Sequence, residues 1–280
     1  MKILKVLFKF LLFLPLFTEI VYAQNAKELI SLGDKAVNNN FNYAKGLEYY
    51  NAALKLEPNN IKILNKISRT IVFIGDDLPT SIKNIEQELK FGKGLNTEKE
   101  SLDSNEIAGA QVDNYQKAYE LAEKAIQLDP NNAEAYVRRA VANARIAVTK
   151  GIFSVAKLVN QVKKDLEFAI KLGTGGNDVQ AVAHYVLAKT HDKVSDKWKP
   201  ARSVIGLGWG DIDVALEEYR KAIKLKSDVR AFYLDYAKAL IEEDEEDEAK
   251  AMLMKIENCP ILEKEDNKRL KEAKEILAEL

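Results

Sequence analysis

Ala53-Leu54-Lys55-Leu56-Glu57-Pro58-Asn59-Asn60 returns as Ala125-Ile126-Gln127-Leu128-Asp129-Pro130-Asn131-Asn132. Degraded copies follow at Ala169-Ile170-Lys171-Leu172 and Ala222-Ile223-Lys224-Leu225. A segment that recurs in this way marks one supersecondary unit stacked on others like it, because a single unit cannot bury its apolar face alone. Ala and Leu sit at helical spacing in each copy, and in the two full copies a proline then ends the helix. The chain therefore reads as an all-α stack of repeated helices.

Working outward, the first unit spans about 26–60. Leu29, Leu32, Gly33 and Ala36 fall at helical spacing, and Asn38-Asn39-Asn40 interrupts it. A second helix from Tyr43 carries Leu47, Tyr50, Ala53, Leu54 and Leu56. The order Leu32-Gly33, Gly46, Tyr50, Ala53, Pro58, with one extra residue in the turn, resembles the tetratricopeptide repeat, a helix–turn–helix unit of about 34 residues. Small residues belong where the two helices cross closely, and large ones where neighbouring units meet.

Four more units follow the same pattern. The second opens with Ile63, Leu64, Ile67 and Ile71 and closes with Ala118, Ala122 and Ala125. The third opens with Tyr136, Ala140 and Ala144 and closes with Val162, Leu166 and Ala169. The fourth has Leu187-Ala188 in place of Leu-Gly and closes with Ala215, Tyr219 and Ala222. The fifth opens with Tyr233, Tyr236 and Ala237 and closes with Ala249, Leu253 and Ile256. After Pro260, Leu270, Ala273, Ile276, Leu277 and Leu280 define one more amphipathic helix, as a solenoid needs to cap its exposed core. The expected fold is an α-solenoid of about five helix pairs with helical insertions and a C-terminal capping helix over about 262–280.

The copies begin at residues 53, 125, 169 and 222, spaced by 72, 44 and 53, all longer than a unit of about 34 residues. The excess predicts insertions at about 77–113, 150–160 and 195–210. In the first, Ile82, Ile85 and Leu89 predict a short amphipathic helix, and 92–104 a polar loop. The last holds Trp198 and Trp209, which are expected to fold back onto the solenoid.

From Ala183 onward the chain resembles the regulator of microtubule dynamics family and its exported bacterial relatives. The resemblance rests on Val194-Ser195 with Trp198, the glycine-bearing insertion, Ala215-Leu216-Glu217-Glu218-Tyr219, and Glu263-Lys264-Glu265-Asp266 leading into the last helix. It implies a repeat domain with a terminal helix and no enzyme.

Residues 1–23 are read apart from the repeats. Lys2, Lys5 and Lys9 precede an apolar run over 10–17, and Val21-Tyr22-Ala23 suits a cut after Ala23, the layout of a secretory signal peptide. The run is far shorter than the ~20 residues a membrane span needs. The expected mature chain, 24–280, is one repeat domain, periplasmic or secreted, with no transmembrane segment. Losing three Lys and Glu19 moves the net charge from −1 to −3, which gives no general pull toward nucleic acid or membrane. Cys259 has no partner for an internal disulfide and is expected to be a small buried hydrophobe.

No catalytic, cofactor-binding or metal-binding residue is expected. His184 and His191 lie seven apart on one helix face, but no third His or Cys completes a tetrahedral set, so both are expected to pack where the repeat places aromatics. Gly173-Thr174-Gly175-Gly176 lacks the lysine of a phosphate loop and reads as a helix-ending turn. The seven acids from Glu242 to Glu248 read as a solvated turn whose charges favour the next helix.

The tetratricopeptide resemblance implies a concave groove lined by the first helix of each unit. Mapped onto this chain it takes in Lys27, Asp34, Lys62, Asn65, Arg69, Glu134, Arg145, Tyr185, Lys189, Lys193 and Lys238. Basic side chains outnumber acidic ones there, which predicts an acidic protein or peptide partner, or an anionic solute. The expected function is a non-enzymatic exported scaffold or adaptor for protein–protein interaction in the cell envelope. The alternative is an accessory protein for solute uptake that binds a small ligand in a repeat-lined pocket. An enzyme using the histidines is a weaker third reading.

Overall fold

The computed structural model describes residues 25–78 and 104–280. The expected signal peptide at 1–23, the helix expected around Ile82, Ile85 and Leu89, and the polar loop expected over 92–104 lie outside the described residues, except Ser104, which begins a helix. The first pair is α1 (25–34), which runs on into a π-turn over Lys35–Asn39, and α2 (Tyr43–Leu56). Then α3 (Ile61–Asp76) pairs with α4 (Ser104–Leu128), and α5 (Ala133–Lys150) with α6 (Ala156–Leu172). In the fourth pair, α7 (Gly176–Ser195) and α9 (Ile212–Leu225) flank a short α8 (Lys199–Val204). The fifth is α10 (Arg230–Glu242) with α11 (Glu246–Lys255), and α12 (Asp266–Glu279) follows it. Among the described residues every regular element is helical, and the architecture is the expected tetratricopeptide-like α-solenoid.

The repeated stretch builds this fold through its small residues and its asparagines. Ala53, Ala125, Ala169 and Ala222 are all fully buried, so the equivalent side chain of each copy touches a neighbouring helix. The second Asn of each Pro-Asn-Asn starts the next unit. Asn60 Oδ1 accepts the Lys62 and Ile63 amides, and Asn132 Oδ1 accepts the Ala135 amide. Such caps contribute about 0.5–2 kcal/mol each to their helices. Gly173 ends α6 in the left-handed conformation at φ 61°, as the glycine run predicts.

Glycine has a second use in the first two pairs. A Cβ on Gly33 would lie 2.4 Å from the Tyr50 ring, and one on Gly75 would lie 2.6 Å from the Tyr115 ring. In both pairs the missing side chain lets a tyrosine of the second helix lie across the first. Leu32 departs from the expected packing and is 40% exposed, whereas the equivalent Ile67 and Leu187 are buried. Ile67 packs in one cluster with Tyr50 and Ala53 of the preceding helix. No described helix precedes α1 to offer Leu32 such a surface.

The first helices touch in series, α3 on α5, α5 on α7, α7 on α10 and α10 on α12, and they form the inner wall of the superhelix. The turn before α12 reaches back to the beginning of this wall, where Lys264 Nζ lies 2.8 Å from Asp77 Oδ2 just beyond α3.

Candidate functional site

Most of the expected groove residues lie along this inner wall, but their charges are largely matched. Arg145 pairs with Asp76 at 2.9 Å, and Lys189 with Asp235 at 2.7 Å. Lys193 lies 3.4 Å from Asp192 and 3.2 Å from Asp196, and Lys238 lies 2.5 Å from Glu272 of α12. Asp34, also on the mapped groove, binds Lys66 and the Tyr50 hydroxyl, both at 2.6 Å. The basic excess counted from the mapped positions is thus smaller in three dimensions. Asp76, Asp196, Asp235 and Glu272 were outside that count, and folding brings them against its cations.

Four members of the set differ. Lys27 and Lys62 are exposed on the first turns of α1 and α3. Asn65 is buried and donates to Asn132 Oδ1 at 3.3 Å, while its own Oδ1 has no partner. It acts between two repeats and is not free to meet a partner. Tyr185 is likewise engaged within the wall. Its hydroxyl donates to Asp235, its ring stacks on Phe232 with centroids 4.5 Å apart, and burial beside that carboxylate pushes its pKa well up.

Arg69 is the exception to charge matching. It is half-buried, with its guanidinium 4.9 Å from the Phe73 ring centre and a long 3.4 Å contact to Asn38 Oδ1. Among the described residues no carboxylate lies in ion-pair contact with it. Burial, and then the charge of Arg138, lower its pKa. Glu263 and Glu134 act on it only at longer range, so this strong hydrogen-bond donor has no contacting carboxylate among the described residues.

A pocket opens between α5 and α7 over α6, enclosing about 710 Å³ of space with open solvent included. Its walls include Val141, Val148, Val159, Val162, Val186 and Val194, and Arg145, Lys189 and Lys193 stand among its lining residues.

The histidines do not form one site. His184 Nδ1 bonds the Glu218 carboxylate of α9, while His191 is buried edge-on against the Trp209 ring at 5.0 Å. Asp192, Asp196 and Glu242 bring carboxylate oxygens within 4.8 Å of one another, and the Lys193 ammonium sits against two of them.

The tryptophans behave differently from each other. Trp209 folds back and donates to Asn160 Oδ1 at 2.8 Å, as expected. Trp198 is corrected: it is 74% exposed. It occupies the N-cap of α8, and the insertion is anchored instead by buried Arg202, which donates to the Gly210 carbonyl at 2.6 Å. Nothing in the local sequence distinguished the arginine as the anchor.

The fold and groove define a tetratricopeptide-like solenoid. The family model described as regulator of microtubule dynamics protein 1-3 matches residues 99–280, more than half of the chain, and the protein belongs to that family. The match reaches further toward the N-terminus than the sequence resemblance from Ala183. A DnaJ homolog subfamily C member 7 homolog of Schizosaccharomyces pombe is 26% identical over 193 residues, 63% of this chain and 37% of that protein's length. The solved structure of MamA from residue 41 to its end, from Desulfovibrio magneticus RS-1, is 15% identical, covering 82% of this chain and 92% of that one with a TM-score of 0.44. The tetratricopeptide protein TTC0263 of Thermus thermophilus is 16% identical, covering 77% and 99% with a TM-score of 0.39. None of the helices described is long and apolar enough to cross a membrane.

Proposed function

We propose that the protein is a non-enzymatic exported scaffold that receives an acidic, extended segment of a partner protein in its concave groove, in the cell envelope. The observation that carries this reading is Arg69. A half-buried cation on the inner wall, beside an aromatic ring and near Arg138, lacks a contacting carboxylate among the described residues, and a partner could supply one. Export rests on the leader read at 1–23. The mature net charge of −3 gives no general pull toward nucleic acid. A second reading, a small anionic ligand taken up in the course of solute uptake, is favoured by the apolar pocket between α5 and α7 with its three cations.

The test is capture from native envelopes with the mature chain as bait, alongside Arg69→Glu. A polypeptide held by the wild type and lost by the variant, at equal helical content, is the expected result. Retention by the variant would contradict the groove reading. A co-purified small molecule, detected by native mass spectrometry, would move the second reading ahead.

A further inference from the structure

We infer that the segment 260–266 is an internal occupant of the groove, latched by Lys264 on Asp77, and that an acidic partner enters by displacing it. The inference rests on the reading of the groove given above and says what holds that groove closed. After α11 the chain does not turn straight into α12. It crosses to the first two units, where the Lys264 ammonium donates to Asp77 Oδ2 at 2.8 Å, across a sequence separation of 187. The Lys264 amide also faces the Tyr43 hydroxyl.

The crossing segment is well fixed at its own end. Buried Asp266 accepts the Leu262 and Glu263 amides at 2.8 and 2.9 Å. Arg230 donates to the Asp266 and Cys259 carbonyls at 3.0 and 2.7 Å. Arg269 holds the Glu263 carboxylate at 2.6 Å. Glu263 is therefore presented by a set turn, and it is near enough to Arg69 and Tyr43 to act electrostatically on both. It acts at longer range on Arg69, the half-buried groove cation with no carboxylate in contact among the described residues.

The far end is held less firmly. The Lys264 side chain is 52% exposed, and an ion pair of that kind is weakened by water and salt. A firm anchor on the fifth unit and a weak tie on the first make a latch that opens at the first unit.

The test uses the full mature chain with spin labels on Lys55→Cys in α2 and Lys271→Cys in α12, leaving buried Cys259 in place. Lys264→Glu should lengthen and broaden the distance distribution. The exchange Asp77→Lys with Lys264→Asp should restore it. A synthetic peptide carrying residues 259–267 should bind Lys264→Glu about two- to fivefold more tightly than wild type, the factor an exposed ion pair supplies. An unchanged distance in Lys264→Glu overturns the latch, whether or not the groove binds peptides. A longer distance with no gain in peptide affinity overturns the gating role. In that case the groove reading still stands or falls on Arg69→Glu.

Discussion

The first two helix pairs and the third close the same gap with opposite chemistry. In the first pair the Tyr50 hydroxyl of the second helix donates to Asp34 of the first at 2.6 Å, and in the second Tyr115 donates to Asp76 at 2.8 Å. The third pair has no such tyrosine. There Arg139 of α5 forks onto Asp165 of α6 at 2.8 and 2.6 Å and reaches Glu123 of α4 at 2.5 Å. The fourth pair returns to tyrosine, with Tyr219 on buried Asp192 at 3.1 Å. A neutral donor on a half-exposed carboxylate tolerates loss. A largely enclosed guanidinium on a buried carboxylate does not, because removing its partner strands a charge. In the first two pairs the tyrosine ring also lies over a residue without a side chain, Gly33 under Tyr50 and Gly75 under Tyr115.

The largest effect should therefore come from the third pair. Asp165→Ala is expected to lower stability by about 3 kcal/mol, near the low end for a broken buried pair because Glu123 remains. Thermal or urea unfolding checks this. A loss no greater than that of Asp34→Ala would erase the contrast between the pairs. Next is Ala125→Leu. Ala125 is fully buried in the second pair, and overpacking there should cost about 1–3 kcal/mol; a melting curve equal to wild type would mean that the crossing can expand.

Gly33→Ala is smaller and has a sharper form. The new Cβ would clash with the Tyr50 ring, against a helix-propensity gain of about 1 kcal/mol. The net loss should be about 1 kcal/mol. In a Tyr50→Ala background the same change should stabilise. If the sign does not reverse, the ring is not the reason for the glycine.

The fourth pair supplies the smallest effect. Burial, then the Lys163 charge, hold the His191 pKa below its usual 6.5. The unfolded imidazole therefore binds its proton at higher pH than the folded one, and stability is lost as pH falls below about 6.5. Melting temperatures at about pH 7.5 and 5.5 should differ more in wild type than in His191→Gln. Equal differences would remove His191 from the account.

Much of this architecture was legible because the helix-ending prolines, the fully buried alanines and Leu32-Gly33 are local signals with a fixed meaning in a repeat. The cap role of Asn60 and Asn132 was also available in the repeated stretch and could have been read from it. What was not legible depends on distance in space. Asp76 and Asp235 lie on first helices but outside the mapped positions, and Glu272 lies on α12, so a count over mapped positions overstated the basic excess. Lys264 meets Asp77 only because the superhelix brings its end near its beginning. Arg69 was on the candidate groove from its position in the repeat. That it is a half-buried cation with no carboxylate in contact among the described residues emerged only when its neighbours were placed.

The central claim is that this half-buried cation, with no carboxylate in contact among the described residues, makes the concave face a receptor for acidic segments. The measurement that tests it most directly is a titration of the captured partner, or of its acidic segment, against wild type, Arg69→Glu with Arg145→Glu, and His184→Phe, at low and high salt. Affinity should fall as salt rises, because groove charges are screened beyond about 8–10 Å at ordinary ionic strength. The double reversal should weaken binding at least tenfold, about 1.4 kcal/mol or more, with the helical spectrum unchanged. His184→Phe, remote from Arg69 and bonded to Glu218 between α7 and α9, should bind as wild type does. Binding that survives the double reversal but is lost in folded His184→Phe would contradict the account.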